Sequence, residues 1–188
     1  ERLPNLVREI DGRGHEVASH GYYHRLCSGQ GGEELARDLE DSKKLLEDIL
    51  GREVLGYRAP SFSISDRILE MIREAGYRYD ASYNSFALNR RYGRPDITGK
   101  EKRGIALVWG RDFYELPLTN LEIGGRSLPF CGGGYFRLLP VPVFRAGAAR
   151  ILNSRGAFHF YMHPWEVDPD QPRQREASRL TRFRHYLN

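Results

Sequence analysis

Hydrophobic positions along the chain alternate between two periodicities. Leu3, Leu6, Val7 and Ile10 recur at helical spacing, Pro4 is tolerated at a helix start, and Gly12 and Gly14 are stop signals. A first helix therefore ends near Asp11. Residues 15–20 alternate over a short span and predict a strand whose end carries His20 into a loop of Gly21, Tyr22 and Tyr23. The clearest element is a second helix, with Leu35, Leu39, Leu46, Ile49 and Leu50 on one face, acids in its first turn and Gly51 as its stop.

The order then repeats. Residues 54–58 are strand-like and break at Pro60; Ser65 and Asp66 can cap a helix with Ile68, Leu69 and Ile72 inward; residues 77–82 are strand-like again. Residues 89–104 form a long excursion rich in Arg, Gly, Pro and Lys. Residues 105–109 and 113–118 then predict paired short strands turning at Gly110, Arg111 and Asp112. Residues 124–142, with Cys131, Gly132, Gly133 and Gly134, read as a loop region with a special backbone. A helix over 143–152 and a final buried strand over 157–162 follow, and Leu180, Phe183 and Leu187 again fall at helical spacing.

Such alternation implies an α/β fold, a largely parallel sheet with helices outside, either an open layer or a barrel. A full (β/α)8 barrel usually needs about 250 residues, so a barrel reading implies fewer strands or a missing piece. In both architectures ligands bind at the C-terminal ends of strands, where His20, Arg58, Asp80 and His163 all fall.

Composition narrows the function classes. With 188 residues, 40% hydrophobic and 12% aromatic, the chain supplies one core-bearing domain spanning 1–188. No apolar run approaches the roughly 20 residues of a membrane span. The net charge of +4 is scattered among acids, without the basic block of a nucleic-acid binder. Cys27 and Cys131 are too few for a disulfide framework. The Gly132–Gly134 run lacks the Lys-Ser/Thr of a P-loop, and no GxGxxG opens a helix, so nucleotide cofactors have no support. The chain opens at Glu1 inside a helical pattern and closes inside another, which predicts a fragment cut at both ends. It carries no signal peptide, and location is open between bacterial cytoplasm and periplasm.

Several residues can carry chemistry. His20 and His24, four apart after a strand, either share one divalent metal or are unrelated loop histidines. Cys27 either extends that set or is simply buried. Arg58 either holds a carboxylate bidentately or makes a surface ion pair. His163 is either a general acid or base, or a strand-end histidine satisfied by backbone. Asp80 either tunes a histidine or caps the turn at Ala81 and Ser82. Tyr22, Tyr23, Tyr135, Phe136 and Trp165 lie near the loops, where aromatic rims suit sugar rings and core packing is the alternative.

The order His20-x-x-x-His24, Arg58-x-Pro60, Tyr79-Asp80 and Met162-His163 resembles the polysaccharide deacetylase (NodB-homology, carbohydrate esterase 4) family over nearly the whole chain. The run from His163 to Pro172 and the Gly132 to Pro140 segment resemble its exopolysaccharide-locus branch associated with exosortase systems. The resemblance implies a distorted (β/α) barrel and a metal, Zn2+ or another divalent ion, held by His20, His24 and an Asp. It implies a hydrolase that removes the N-acetyl group of an acetamido sugar in a polysaccharide. In it, His163 protonates the departing amine, Arg58 orients the catalytic carboxylate, and Asp80 holds His163 in its working protonation state. Tyr22, Tyr135 and Trp165 become substrate contacts.

The family's paired acids, which supply the base and the metal Asp, have no match before His20. Gly21 also stands where the family has Ser or Thr, and Ser61 delays the aromatic after Arg-x-Pro. The expectation is an incomplete barrel lacking its first strand, an inactive fragment, and self-association through exposed sheet edges. The competing expectation is a non-catalytic carbohydrate-binding module on the same fold.

Overall fold

The helix signals place the first unit of the protein. In the computed structural model, which describes residues 3–86, 92–171, 176, 178 and 182, α1 is Pro4–Gly12 and α2 is Gly32–Leu50. Glu33 and Glu34 complement the N-terminal end of the α2 dipole. Gly51 adopts the left-handed φ of 68° and returns its N–H to the Glu47 carbonyl at 2.8 Å, which ends the helix. Helix α3, Asp66–Glu74, begins where the Ser65 hydroxyl accepts the Ile68 N–H.

Between and after these helices run β1 (Gly56–Tyr57), β2 (Tyr79–Asp80), β3 (Lys102–Arg103), β4 (Ala106–Gly110) and β5 (Phe113–Glu115). They form one sheet in the order β1-β2-β5-β4-β3, with β1, β2 and β5 parallel and β4 antiparallel to both of its neighbours. Ser19 joins β1 through a single parallel bridge to Tyr57. Register therefore aligns Ser19, Tyr57, Asp80 and Glu115 in one row across the ends of the parallel strands, all buried. Leu35, Leu39, Ile68, Leu69 and Ile72 from α2 and α3 pack on Val54, Tyr57, Tyr77 and Phe113 to form the core. Each such fully buried side chain contributes about 1.5–3 kcal/mol relative to exposure.

The strand predictions shorten. Residues 15–20 make one bridge and no strand, because only Ser19 exchanges hydrogen bonds with β1, accepting from Arg58 and donating to Gly56, each at 2.9 Å. Residues 54–58 and 77–82 contract to two-residue strands. Beyond β1 the chain leaves the sheet at once through Ser61 and Phe62, both at positive φ. Of the 89–104 excursion, residues 89–91 lie outside those described, and its end contributes β3.

The chain divides into two units, Glu1–Pro117 and Leu118–Asn188. In the second, β6 (Leu121–Ile123) and β7 (Arg126–Leu128) form a hairpin about Gly124 and Gly125, whose positive φ values of 57° and 77° suit the tight turn. Helices α4 (Gly133–Leu138) and α5 (Val141–Arg155) follow. The 124–142 segment thus holds a strand and a helix where a loop was expected. Phe130, Phe136, Phe144, Phe158 and Phe160 cluster, with Phe130 and Phe144 stacked at 4.7 Å. Gly147 leaves room for the Phe130 ring against α5. Residues 157–162 are half-buried or exposed and make one parallel bridge, Tyr161 to Gly132, instead of the predicted buried strand. Apart from Arg182, the helical pattern at 179–188 lies outside the described residues.

The described strands close no barrel; the first unit is an open mixed α/β sheet. Among the described residues, no helix is long and apolar enough to cross a membrane.

Candidate metal and acid–base site

The two candidate metal histidines meet. Past the Ser19 bridge, Gly21 at φ 80° turns the chain and His24 adopts a left-handed φ of 55°, uncommon for a residue with a Cβ. The His20 and His24 rings then stand edge to face with centroids 4.8 Å apart. His20 Nδ1 lies 2.6 Å from the Arg58 carbonyl oxygen. A carbonyl only accepts, so Nδ1 carries the proton and the lone pair of the neutral ring belongs to Nε2, the arrangement of a metal-ligating imidazole.

The turn is held from beneath by a residue absent from the sequence-based candidates. Asp38, on the buried face of α2, accepts the N–H of Tyr22 at 3.0 Å and of Tyr23 at 3.1 Å. A Cβ on Gly21 would stand 3.0 Å from its Oδ2, so Gly21 lets the turn close over the carboxylate. Ser19 Oγ accepts the Gly21 N–H and shares a 2.8 Å hydrogen bond with Ser42 Oγ. A groove of about 550 Å³ opens beside the turn, lined by His20, Tyr22, Leu45 and Leu46 among others.

Two imidazoles at this separation suit two of the four positions around a tetrahedral zinc. Among the described residues, no group of three His, Cys, Asp or Glu side chains could hold a metal. Cys27 does not extend the set: it is buried, its sulfur lies 3.5 Å from the Tyr57 hydroxyl, and burial pushes its thiol pKa up, away from the thiolate a metal requires.

Arg58 and Asp80 share the rim of the parallel strands. Arg58 Nε donates to the Ala81 carbonyl at 2.9 Å. Asp80 is fully buried and accepts the Ser82 N–H at 2.9 Å and the Ser82 hydroxyl at 2.8 Å, so the turn-capping alternative describes its local contacts. Facing it in register is Glu115, equally buried, whose Oε1 accepts the Tyr83 N–H at 2.8 Å. Burial raises the Asp80 pKa despite its hydrogen bonds and the Arg58 charge; burial and the Asp80 charge push Glu115 well above the carboxylate range. Glu115 Oε2 has no hydrogen bond of ordinary geometry, and a buried oxygen of that kind is better accommodated in a neutral acid than in a carboxylate. Both directions favour Glu115 over Asp80 as the neutral member of the pair.

In the second unit, His163 stands at the start of a 3-10 turn, Pro164–Val167, with its side chain exposed. Its ring stacks on Trp165 at 5.4 Å, and the Arg137 guanidinium lies over the Trp165 ring at 5.3 Å. Tyr135 is half-buried in α4, and Tyr22 half-buried in the histidine turn.

Sequence reasoning missed Asp38, Glu115 and Glu166. Their common signal is a polar residue at an inward position. Asp38 and Ser42 continue the Leu35 and Leu39 stripe of α2, Glu115 alternates with Phe113 in β5, and Glu166 follows an apolar Trp.

Comparison with known proteins divides the chain at a different point, between residues 79 and 81. Residues 1–79 match the polysaccharide deacetylase family model, and residues 81–188 match a domain of unknown function (DUF3473). The chain is 35% identical over 78 residues to a peptidoglycan-N-acetylglucosamine deacetylase of Bacillus cereus, covering 42% of this chain and 36% of that protein. It is 32% identical over 79 residues to a chitooligosaccharide deacetylase of Azorhizobium caulinodans, covering 42% and 38%. The chain thus spans little more than a third of the length of these relatives. A solved Mycobacterium smegmatis structure described as a polysaccharide deacetylase superposes with a TM-score of 0.59 at 19% identity, covering 97% of this chain and 59% of that one. An allantoinase superposes with a TM-score of 0.50 at 19% identity, covering 86% and 48%, so the shared feature is the fold. Through residues 81–188 the chain belongs to the domain family of unknown function DUF3473, and residues 1–79 are similar to the polysaccharide deacetylase family.

Proposed function

We propose that the protein hydrolyses the N-acetyl group of an acetamido sugar in a polysaccharide, an exopolysaccharide in particular, with the help of a divalent metal, zinc being the first candidate. The observation that carries this reading is the His20–His24 turn, with rings 4.8 Å apart and His20 Nδ1 fixed on the Arg58 carbonyl, inside the segment that matches the deacetylase model. When bound, the metal supplies Lewis acidity to the acetamide carbonyl and to water.

The chain's own residues then divide the work. His20 and His24 hold the metal through ring nitrogens, Arg58 orients a carboxylate, and Asp80 with Glu115 fixes the strand-end segment from Ala81 to Tyr83. His163 protonates the leaving nitrogen, and Tyr22, Tyr135 and Trp165 contact the sugar. This 188-residue chain alone is proposed to be inactive.

The test is acetate release from N-acetylglucosamine oligomers by the full-length protein with zinc. Activity that falls at least about a hundredfold in His163→Ala supports the reading, since general acid catalysis is typically worth that much. Sugar binding without acetate release would favour the carbohydrate-binding alternative.

A further inference from the structure

The candidate general acid has a carboxylate of its own in the second unit. We propose that Glu166 is the positioning residue of His163: it accepts the proton on ring Nδ1 and so makes Nε2 the atom that exchanges a proton with the substrate. The chemistry rests on the deacetylase reading above, whereas the pairing rests on the geometry of this unit alone.

Glu166 Oε2 accepts the backbone N–H of His163 at 2.7 Å and lies 3.4 Å from its Nδ1. One oxygen thereby fixes both the backbone and the near edge of the ring, while stacking on Trp165 fixes the ring plane. The first contact, with the Glu166 N–H directed in turn at the His163 side chain, makes a capping box. Three features exceed what a cap needs. The Glu166 side chain is only 6% exposed. Its Oε1 lies 3.4 Å from Nη2 of Arg137, itself only 6% exposed, so the carboxylate faces a buried guanidinium. The Gly132–Gly134 run also passes so close that a Cβ on Gly133 would collide with the carboxylate, and Gly133 is held there by its N–H to the Tyr161 carbonyl at 2.9 Å. A buried ion pair is costly to desolvate and contributes little net stability. Holding a carboxylate against an exposed imidazole accounts for its placement.

The groups facing the ring are Glu166, Arg137 behind it, and Tyr161, whose ring centroid is 6.2 Å away. Near Nδ1 lie the Glu166 carboxylate, which can only accept, and the Glu166 backbone N–H, which can only donate. That N–H already bonds the His163 carbonyl at 2.9 Å, so the proposal places the proton on Nδ1, the neutral ring's lone pair on Nε2 and the protonated ring's second proton there. In the reaction that proton passes to the sugar nitrogen as the C–N bond breaks and its electron pair goes to nitrogen. The ring is left neutral with its remaining proton on Nδ1, against Glu166. Asp80 meanwhile has its oxygens engaged by Ser82.

The test is 15N NMR of the histidine rings in this chain, with His163 assigned by its loss in His163→Ala. The wild type is expected to show the Nδ1–H form of the neutral ring. Glu166→Gln is expected to shift it toward the Nε2–H form that unconstrained imidazole favours. Should loss of the ion pair with Arg137 prevent Glu166→Gln from folding, the Arg137→Met, Glu166→Gln double variant removes both charges and serves instead. An Nε2–H ring in the wild type, or an unchanged tautomer in a folded variant, overturns the pairing. In the full-length protein, Glu166→Gln is expected to lower kcat about ten- to a hundredfold with KM unchanged. If the tautomers behave as expected but the wild type releases no acetate, the deacetylase reading fails and the pairing stands.

Discussion

Asp38 determines whether the two histidines can act together. Its carboxylate accepts two consecutive backbone N–H groups across a turn in which Gly21 adopts positive φ freely and His24 does so at a cost, so these hydrogen bonds offset the unfavourable backbone of His24. Asp38→Asn leaves one of those N–H groups facing an amide NH2. We expect a folded protein, destabilised by about 1.5–3 kcal/mol, whose zinc affinity falls about ten- to a hundredfold, as for other residues that support metal ligands. Calorimetry on the two proteins checks this, and equal affinities would show that the turn keeps its shape without Asp38. That the two histidine rings meet was legible because four-residue spacing after an extended segment can bring both rings to one side of a turn. Asp38 was not, because an acid in an acidic helix is unremarkable until Leu35 and Leu39 are seen to share its face.

At the scale of elements, helices were read closely and strands were not. α2 and α3 carry long periodic stripes and explicit stops or caps at Gly51 and Ser65. β1 and β2 are two residues long, too short for alternation to bound them, and the bridge at Ser19 depends on hydrogen bonds that no local pattern encodes. The glycines of 124–142 suggested a loop, yet Gly124 and Gly125 make a hairpin turn and Gly133 admits a carboxylate.

The pairing of β2 with β5 carries its own prediction. Glu115 has a raised folded-state pKa against 4.5 in the unfolded chain, so the unfolded state loses its proton first as pH rises. Its contribution is complete below about pH 4.5 and is lost progressively toward the raised folded value. Glu115→Gln keeps an acceptor for Tyr83 and a donor toward Asp80 without titrating. The melting temperature of Glu115→Gln minus that of wild type is therefore expected to rise between pH 5 and pH 8. A constant difference would mean that Glu115 is not the neutral member of the pair.

For the molecule as a whole, the two units contribute different chemistry. The first brings two imidazoles together within the segment that matches the deacetylase model, and the second sets an imidazole against Glu166. The sequence predicts one domain over residues 1–188 with its candidate residues at strand ends. It did not convey the carboxylates beneath them, which become neighbours through sheet register and the 3-10 turn. The central claim, that His20 and His24 form a metal centre, is tested most directly by titrating zinc into this chain and into the His20→Ala, His24→Ala double variant by calorimetry in metal-free buffer near neutral pH. The account predicts one saturable site in the parent chain that is lost in the variant. No binding by the parent, or equal binding by both proteins, would contradict it.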